Sequence, residues 1–352
     1  MATADLVDGS PEGIDAARVS AWCASHVPGV EPPLSFTLIA GGRSNLTYRV
    51  TDAAGHAYAL RRPPLSHVLP TAHDMAREHR VISALGPTPV PVPRTYGLCE
   101  DAAVNGQPFY VMEFVEGHII RDASAARRDL DEAGRRRAGE SLADTLAALH
   151  AVDVDAVGLG DFAKREGYID RQLRRWYEQF RKSTVDGLDT ASAIGAVHDR
   201  LAAQVPPQLG ASIVHGDYRL DNTVLGPDGA VRAVLDWEIC TLGDPLADVG
   251  LLMVYWTDPG GEGALVGVTP TTEPGFPGRA EMQARYAAAS GRDLERLGFY
   301  VAFGYWKLAC IIQGVYARYV GGAAAGDRSS VEGFAHSVVH LAEMAQDALD
   351  AP

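Results

Sequence analysis

Ile213-Val-His-Gly-Asp-Tyr-Arg-Leu-Asp-Asn222 and Val234-Leu-Asp-Trp-Glu238 are the two stretches of this chain that decide its fold. Each combines apolar, strand-forming residues with a cluster of polar ones. Between the two stretches, the sequence predicts a strand, a Pro-Asp-Gly turn and a second strand. Such a hairpin would bring Asp236 back beside Asn222, so that residues distant in sequence could share one ion.

The polar residues of these stretches are those that phosphoryl transfer requires. A carboxylate must orient the attacking hydroxyl, while an amide oxygen and a second carboxylate hold magnesium against nucleotide phosphates. Asp217 fits the first role, and Asn222 and Asp236 fit the second. The interval of five residues from Asp217 to Asn222 equals that of the protein-kinase catalytic loop.

The alternative is structural, because a single His-Gly-Asp is common and buried histidines and aspartates usually serve packing or capping. The complete set of residues favours a site instead. Burying a polar cluster between apolar strands costs free energy unless its groups are hydrogen-bonded or bind ions.

These motifs, together with Gly243-Asp-Pro-Leu-Ala-Asp-Val249, resemble the aminoglycoside-phosphotransferase/choline-kinase-like family of small-molecule kinases. The resemblance covers nearly the whole chain and is nearest to the phosphotransferase branch associated with acyl-CoA dehydrogenases. It implies an α+β, protein-kinase-like two-lobed fold with an antiparallel β-sheet N-lobe and a mainly helical C-lobe. The implied boundaries are 1–112 for the nucleotide-binding N-lobe, 113–117 for the hinge, and 118–352 for the C-lobe with catalytic loop, metal loop and acceptor site.

The composition is that of a globular protein of 352 residues, which is enough to bury a sizeable core. A net charge of −14 argues against a nucleic-acid partner, and no apolar run is long enough to span a membrane. The N-terminal residues do not have the pattern of a signal peptide. Four cysteines without Cys-x-x-Cys spacing predict reduced thiols and a cytoplasmic location: Cys23, Cys99, Cys240 and Cys310.

The N-terminal third predicts a helix over 12–28 and then a β-meander over 34–61. The loop Ala40-Gly-Gly-Arg-Ser-Asn-Leu46 would lie over nucleotide phosphates, because its glycines permit unusual dihedral angles. Ser44 and Asn45 would add donors near the backbone amides. A plain hairpin turn is the alternative for this loop.

Alternation along the third predicted strand places Ala59 and Arg61 on the same face. The small Ala59 would cover an adenine, and Arg61 would reach the phosphates, where many kinases use lysine. Arginine keeps the charge and offers bidentate geometry, but it is bulkier. Glu78, in a helix predicted over 71–85, is the candidate partner of Arg61. The structural alternatives are an Arg61 that coats an edge strand and a solvated Glu78.

Further expectations concern the hinge and the C-lobe. The backbone from Glu113 to Val115 would hydrogen-bond the edge of the nucleotide base. His215 would brace the catalytic loop, and Arg219 would offset charge that develops during transfer. Asp248 would hydrogen-bond the backbone of the catalytic loop. Helical spacing predicts a core helix at 142–150 and a second helix at 171–180, which would either line a substrate cleft or pack on the lobe surface.

The resulting hypothesis is an enzyme that uses ATP, with GTP as an alternative, and Mg²⁺ to phosphorylate a hydroxyl of a small molecule. Its acceptor is not identified by any residue, although the resemblance to the acyl-CoA-linked branch favours a hydroxyacyl-type metabolite. Two other classes stay open: a nucleotide-binding pseudokinase and a metabolite-binding protein without turnover. The sequence does not indicate an oligomeric state.

Overall fold

The computed structural model describes residues 11–40, 45–65, 73–183, 190–261, 269–320 and 329–351. The chain folds into two compact units. The first unit comprises residues 1–116 and 232–238, and the second comprises residues 117–231 and 239–352. The first unit is therefore discontinuous in sequence. Its second segment, residues 232–238, follows more than a hundred residues that belong to the second unit.

A five-stranded antiparallel sheet forms the centre of the first unit, in the order β1-β2-β3-β5-β4. Its strands are β1 (Ser35–Ala40), β2 (Leu46–Thr51), β3 (Ala57–Arg62), β4 (Thr95–Cys99) and β5 (Phe109–Glu113). The first three strands form the predicted meander. β3 lies between β2 and β5, so Arg61 is opposite Thr47 on one neighbour and opposite Tyr110 on the other.

The first unit also contains helices. They are α1 (Ala16–His26), α2 (Met75–Leu85) and the short α3 (Ala102–Asn105). The buried residues of α2 recur at helical intervals: Met75, Glu78, Val81, Ile82 and Leu85. Glu78 thus occupies an apolar stripe, which places its carboxylate inside the unit. The helix begins later than predicted because Asp74 caps it, with Oδ1 accepting from Arg77 N at 2.9 Å.

The second unit is mainly helical. Its helices are α4 (Ala123–Asp129), α5 (Glu132–His150), α6 (Tyr168–Arg181), α7 (Thr190–Ala203), α8 (Leu246–Tyr255), α9 (Arg279–Ser290), α10 (Leu297–Val320) and α11 (Ser329–Asp350). The helices predicted over 142–150 and 171–180 fall within α5 and α6. Among the described helices, none is both long and apolar enough to cross a membrane.

Short strands frame the segment that carries the polar motifs. β6 (Ser212–Val214) pairs antiparallel with β9 (Thr241–Gly243). Between these strands lie β7 (Thr223–Leu225) and β8 (Val231–Val234), separated by the predicted turn. Gly226 N donates to Ala230 O at 2.8 Å and closes this turn.

Candidate active site

The loop that follows β6 carries Asp217 and is held by its backbone. The amides of His215 and Gly216 donate to the two oxygens of Asp248, at 2.6 and 2.8 Å. Asp248 is in α8 and almost fully buried. Its predicted contact with the loop backbone is therefore present. His150 of α5 supports this carboxylate, because its Nε2 lies 3.4 Å from Asp248 Oδ2.

Hydrogen bonding lowers the pKa of Asp248, although burial alone would raise it. The backbone donors and His150 favour the charged form, and together they outweigh the loss of solvent. A buried carboxylate that stays ionised is a rigid double acceptor, so it fixes the path of the chain at the loop.

Asp217 has a side chain held from several directions. Asn222 Nδ2 donates to Asp217 Oδ2 at 2.9 Å and to the Asp217 carbonyl at 2.8 Å. Arg219 Nε lies 3.3 Å from the same carboxylate oxygen and 3.0 Å from Asp221. A 3-10 turn at Leu220–Asn222 brings Asn222 back to Asp217. The five-residue spacing thus produces direct contact between the predicted base and one predicted metal ligand.

His215 is fully buried and its Nδ1 accepts from Asp217 N at 3.3 Å. Its bracing role stays a prediction. Arg219 stacks over Tyr255, with Cζ 4.7 Å from the ring centroid. Burial raises the pKa of the Tyr255 hydroxyl, and the nearby Asp217 raises it further. Tyr255 therefore stays protonated as a donor beside the carboxylate.

The predicted ion pair between Arg61 and Glu78 is present in the first unit. Arg61 Nε lies 2.9 Å from Glu78 Oε2, and Arg61 Nη2 donates to Asp236 Oδ1 at 2.5 Å. Arg61 Nη1 lies 3.5 Å from Thr47 Oγ1. The guanidinium therefore bridges two carboxylates instead of coating an edge strand, and a phosphate that bound Arg61 would compete with these contacts.

Glu78 is buried and shared by several donors. Tyr110 donates to Glu78 Oε2 at 3.0 Å and Asn45 Nδ2 donates to Oε1 at 2.5 Å. Burial raises the pKa of Glu78 to about 7; Arg61 lowers it and Asp236 raises it. Asn45 also contacts Glu238 at 3.3 Å, so its amide nitrogen belongs to this ionic network.

Asp236 has a left-handed backbone with φ of 64°. This conformation is uncommon outside glycine, but aspartate adopts it more readily than most residues. Its side chain is 29% exposed, which leaves one face open to a ligand. Unusual dihedral angles persist where surrounding structure fixes them, often at binding or catalytic sites.

The other predicted nucleotide contacts have different outcomes. Ala59 is buried in β3 beside Met112. The Glu113 amide donates to Arg94 O at 2.7 Å, so it is not available to a nucleotide base. The role of Val115 stays a prediction, and Ser44 lies outside the described residues.

The oxygen groups present fit a magnesium site only in part. Carboxylate and amide oxygens are the hard ligands that Mg²⁺ prefers, and the Asn222 amide nitrogen is engaged by Asp217, which leaves its oxygen as the ligand group. Within the described ranges, no cluster of three or more His, Cys, Asp or Glu could hold a metal ion.

Sequence reasoning missed Lys307 of α10, whose buried Nζ donates to Gly216 O at 2.9 Å. It also missed Tyr255 and Tyr110. A single lysine or tyrosine in an apolar helix or strand carries no motif, and these contacts join residues far apart in the chain. Tyr305 and Trp306 of α10 are buried core residues.

A comparison of the sequence with models of known protein families identifies the family of this chain. The family model described as "Phosphotransferase enzyme family" matches residues 35–300. The chain belongs to this family. It is therefore a phosphotransferase with a kinase-like α+β fold, in which an antiparallel sheet and a helical region form separate units. The family acts on hydroxyl groups of small molecules.

Similarity extends over most of the chain. "Acyl-CoA dehydrogenase family member 10" of Mus musculus is 34% identical over 319 residues, which cover 90% of this chain and 29% of the relative. The chain spans between 29% and 44% of the length of the curated relatives it matches.

Solved structures show the same fold. A structure from Ralstonia eutropha JMP134, described as a candidate aminoglycoside phosphotransferase, is 33% identical with a TM-score of 0.79, over 95% of this chain and 98% of the other. ADP-bound aminoglycoside phosphotransferase APH(2'')-Ib is 14% identical with a TM-score of 0.58, over 94% and 99% of the two chains. At that identity, the second comparison supports the fold alone.

Proposed function

We propose that this phosphotransferase moves the γ-phosphoryl group of ATP, or of GTP, to a hydroxyl of a small molecule. The observation that carries this proposal is the Asp217 carboxylate, which Asn222 and Arg219 hold at 2.9 and 3.3 Å in a loop fixed by Asp248. A carboxylate held in this way can accept the proton of a hydroxyl as its oxygen attacks phosphorus. Positioning of this kind supplies much of the rate in phosphoryl transfer.

Asn222 and Asp236 are the residues that we propose as protein ligands of Mg²⁺. When bound, that ion would neutralise charge on the nucleotide phosphates. Arg219, between Asp217 and Asp221, is the cation that would offset negative charge on the transferring group. Arg61 would hold phosphates only if they replace Asp236 as partner of its Nη2.

The acceptor class is a separate proposal. The curated relatives are named as acyl-CoA dehydrogenases, and on that ground we favour a hydroxyacyl-type metabolite over an aminoglycoside. One alternative is a protein that binds nucleotide without turnover. The contact of Arg61 with Asp236 favours this alternative, because the arginine engages a carboxylate that is proposed to bind the metal. Membership of the phosphotransferase family favours turnover.

The first experiment is thermal unfolding with ATP or GTP, each with and without Mg²⁺, for wild type, Asp236→Ala and Asp228→Ala. Asp228 is an exposed turn carboxylate and serves as the matched control. We expect magnesium-dependent stabilisation in wild type and in the control, and its loss in Asp236→Ala. Equal stabilisation in all three proteins would remove Asp236 from the metal site.

The second arm tests Asp217 in a screen of hydroxylated acceptors with radiolabelled nucleotide. Asp217→Asn should keep nucleotide stabilisation and lower turnover by about 10²–10⁴-fold, because the variant lacks the proton acceptor. Wild-type turnover in this variant would exclude Asp217 as the base. Nucleotide stabilisation in wild type without turnover on any acceptor would support the binding-only alternative.

A further inference from the structure

Lys307 interrupts an apolar stretch of α10 and is 5% exposed. Burial of an ammonium group is unfavourable unless it is paired or hydrogen-bonded, so a buried lysine needs a compensating contact. Its one hydrogen bond among the described residues goes from Nζ to the Gly216 carbonyl, at 2.9 Å. That carbonyl belongs to the peptide that leads directly into Asp217.

The peptide group between Gly216 and Asp217 is therefore fixed at both ends. Lys307 binds its carbonyl, and its N–H, which is that of Asp217, donates to His215 Nδ1 at 3.3 Å. The preceding peptide is held by Asp248, which accepts from Gly216 N. Gly216 itself has a φ of 86°, a conformation that glycine adopts readily. Rotation of this peptide would redirect the Cα–Cβ bond of Asp217.

Nearby charge offsets only part of the cost of burying Nζ. Burial lowers the pKa of Lys307, the carboxylates of Asp217 and then Asp248 raise it in part, and Arg175 lowers it. Nζ also lies 5.6 Å from the centroid of the Trp176 ring, whose electron-rich face attracts a cation. Two carboxylates and an aromatic ring thus partly stabilise the ammonium group, which lies near the residue proposed as the base.

We propose that Lys307 is a positioning residue for phosphoryl transfer, acting through the Gly216 carbonyl to set the direction of the Asp217 carboxylate. This inference rests on the proposed function. A lysine that only stabilised the helical unit would affect unfolding but would leave the orientation of the loop and the rate constant unchanged once the protein is folded.

Selective isotope labelling can observe the peptide directly. With ¹³C in glycine carbonyls and ¹⁵N in aspartate amides, one-bond coupling selects aspartates that follow glycine, of which the chain has four: Asp161, Asp217, Asp244 and Asp327. Lys307→Met should shift the Asp217 signal, because the carbonyl loses its donor, and leave those of Asp161 and Asp244 unchanged. Lys307→Arg, which keeps a charged donor, should bring the signal back towards the wild-type position.

Kinetics with saturating ATP and Mg²⁺ provide the second readout. Lys307→Met should lower kcat by about 10²-fold, the order expected for a misplaced catalytic group, and leave KM for ATP nearly unchanged. Gln313→Met is the matched control, because Gln313 is a buried residue of α10 whose Nε2 donates to Ser183 O at 2.9 Å. It should lose stability without a comparable loss of kcat. Lys307→Arg should recover part of the rate.

An unchanged Asp217 signal in Lys307→Met, or a loss of kcat no larger than that of Gln313→Met, would overturn the proposal. If Lys307→Met does not fold, Lys307→Gln replaces it, since a glutamine is too short to reach the same carbonyl. Wild-type protein without turnover would overturn the positioning role together with the proposed function. The two failures can be distinguished. Failure of the proposed function is seen in the wild type alone, whereas failure of the positioning role is seen only when the variants are compared with an active wild type.

Discussion

At the scale of single residues, some contacts are predicted by a motif and others arise only from folding. The pairing of Asp217 with Asn222 follows from a short spacing and a local turn. The bridge from Arg61 to Glu78 and Asp236 joins three segments, and its last member is 175 residues away from Arg61 in sequence. Arginine suits this bridge because its planar group binds two carboxylates at once, which the single ammonium of lysine does less well.

Glu78 gives a prediction for stability against pH. Burial raises its pKa to about 7 from an ordinary value of 4.5, so the folded protein holds a proton that the unfolded chain releases earlier. Protonated Glu78 therefore contributes to the free energy of unfolding. This contribution is fully present below about pH 4.5 and is lost as the pH rises through about 7. Relative to Glu78→Gln, wild type should therefore lose free energy of unfolding between these values and level off above them.

Urea denaturation of both proteins at several pH values measures this difference. The slope can reach at most about 1.4 kcal/mol per pH unit for one group. A constant difference across the range would show that Glu78 titrates alike in the folded and unfolded states. If wild type instead gains stability relative to Glu78→Gln as the pH rises, the attraction of Arg61 lowers the pKa of Glu78 by more than burial raises it.

At the scale of elements, the second unit depends on close packing of α8 against α10. Gly250 of α8 is buried, and a Cβ atom there would lie 2.4 Å from the backbone of Tyr300. Because backbone atoms cannot give way locally, Gly250→Ala should lower the free energy of unfolding by about 1–3 kcal/mol, as overpacking does.

Gly298→Ala in α10 is the matched control, since its Cβ would meet its nearest neighbour at 3.4 Å, an ordinary contact. Alanine is the better helix former, so this change should leave stability equal or raise it by up to about 1 kcal/mol. Urea midpoints of the two variants test the contrast. Equal loss in both would show that glycine is required for its flexibility and not for the space at Gly250.

Sequence patterns predicted several elements of the fold. The meander β1 to β3, helix α5 and the turn before β8 follow from alternation, helical spacing and turn residues. β4 was not predicted, and α3 was missed because it has only four residues. Lys307 could not be found from sequence, since its partner Gly216 lies 91 positions away and belongs to another element.

At the scale of the whole molecule, the prediction of reduced thiols agrees with four free and buried cysteines: Cys23, Cys99, Cys240 and Cys310. Burial raises the pKa of Cys23 to about 12, so little reactive thiolate forms at neutral pH. A thiol-reactive disulfide reagent should therefore label the native protein slowly and all four cysteines in denaturant. Rapid labelling of native protein would show that at least one thiol becomes accessible.

The first unit is built from two separated stretches of chain, and this has a consequence for its synthesis. Residues 232–238 supply Val234, whose amide donates to Pro91 O, and the partner of Arg61 at Asp236. A ribosome that has completed residue 116 must add a further 122 residues before that segment exists. At about 5–20 residues per second this takes roughly 6–24 s. During that interval Arg61 lacks its partner Asp236. We therefore expect the first unit to complete its folding only after much of the helical unit has left the ribosome.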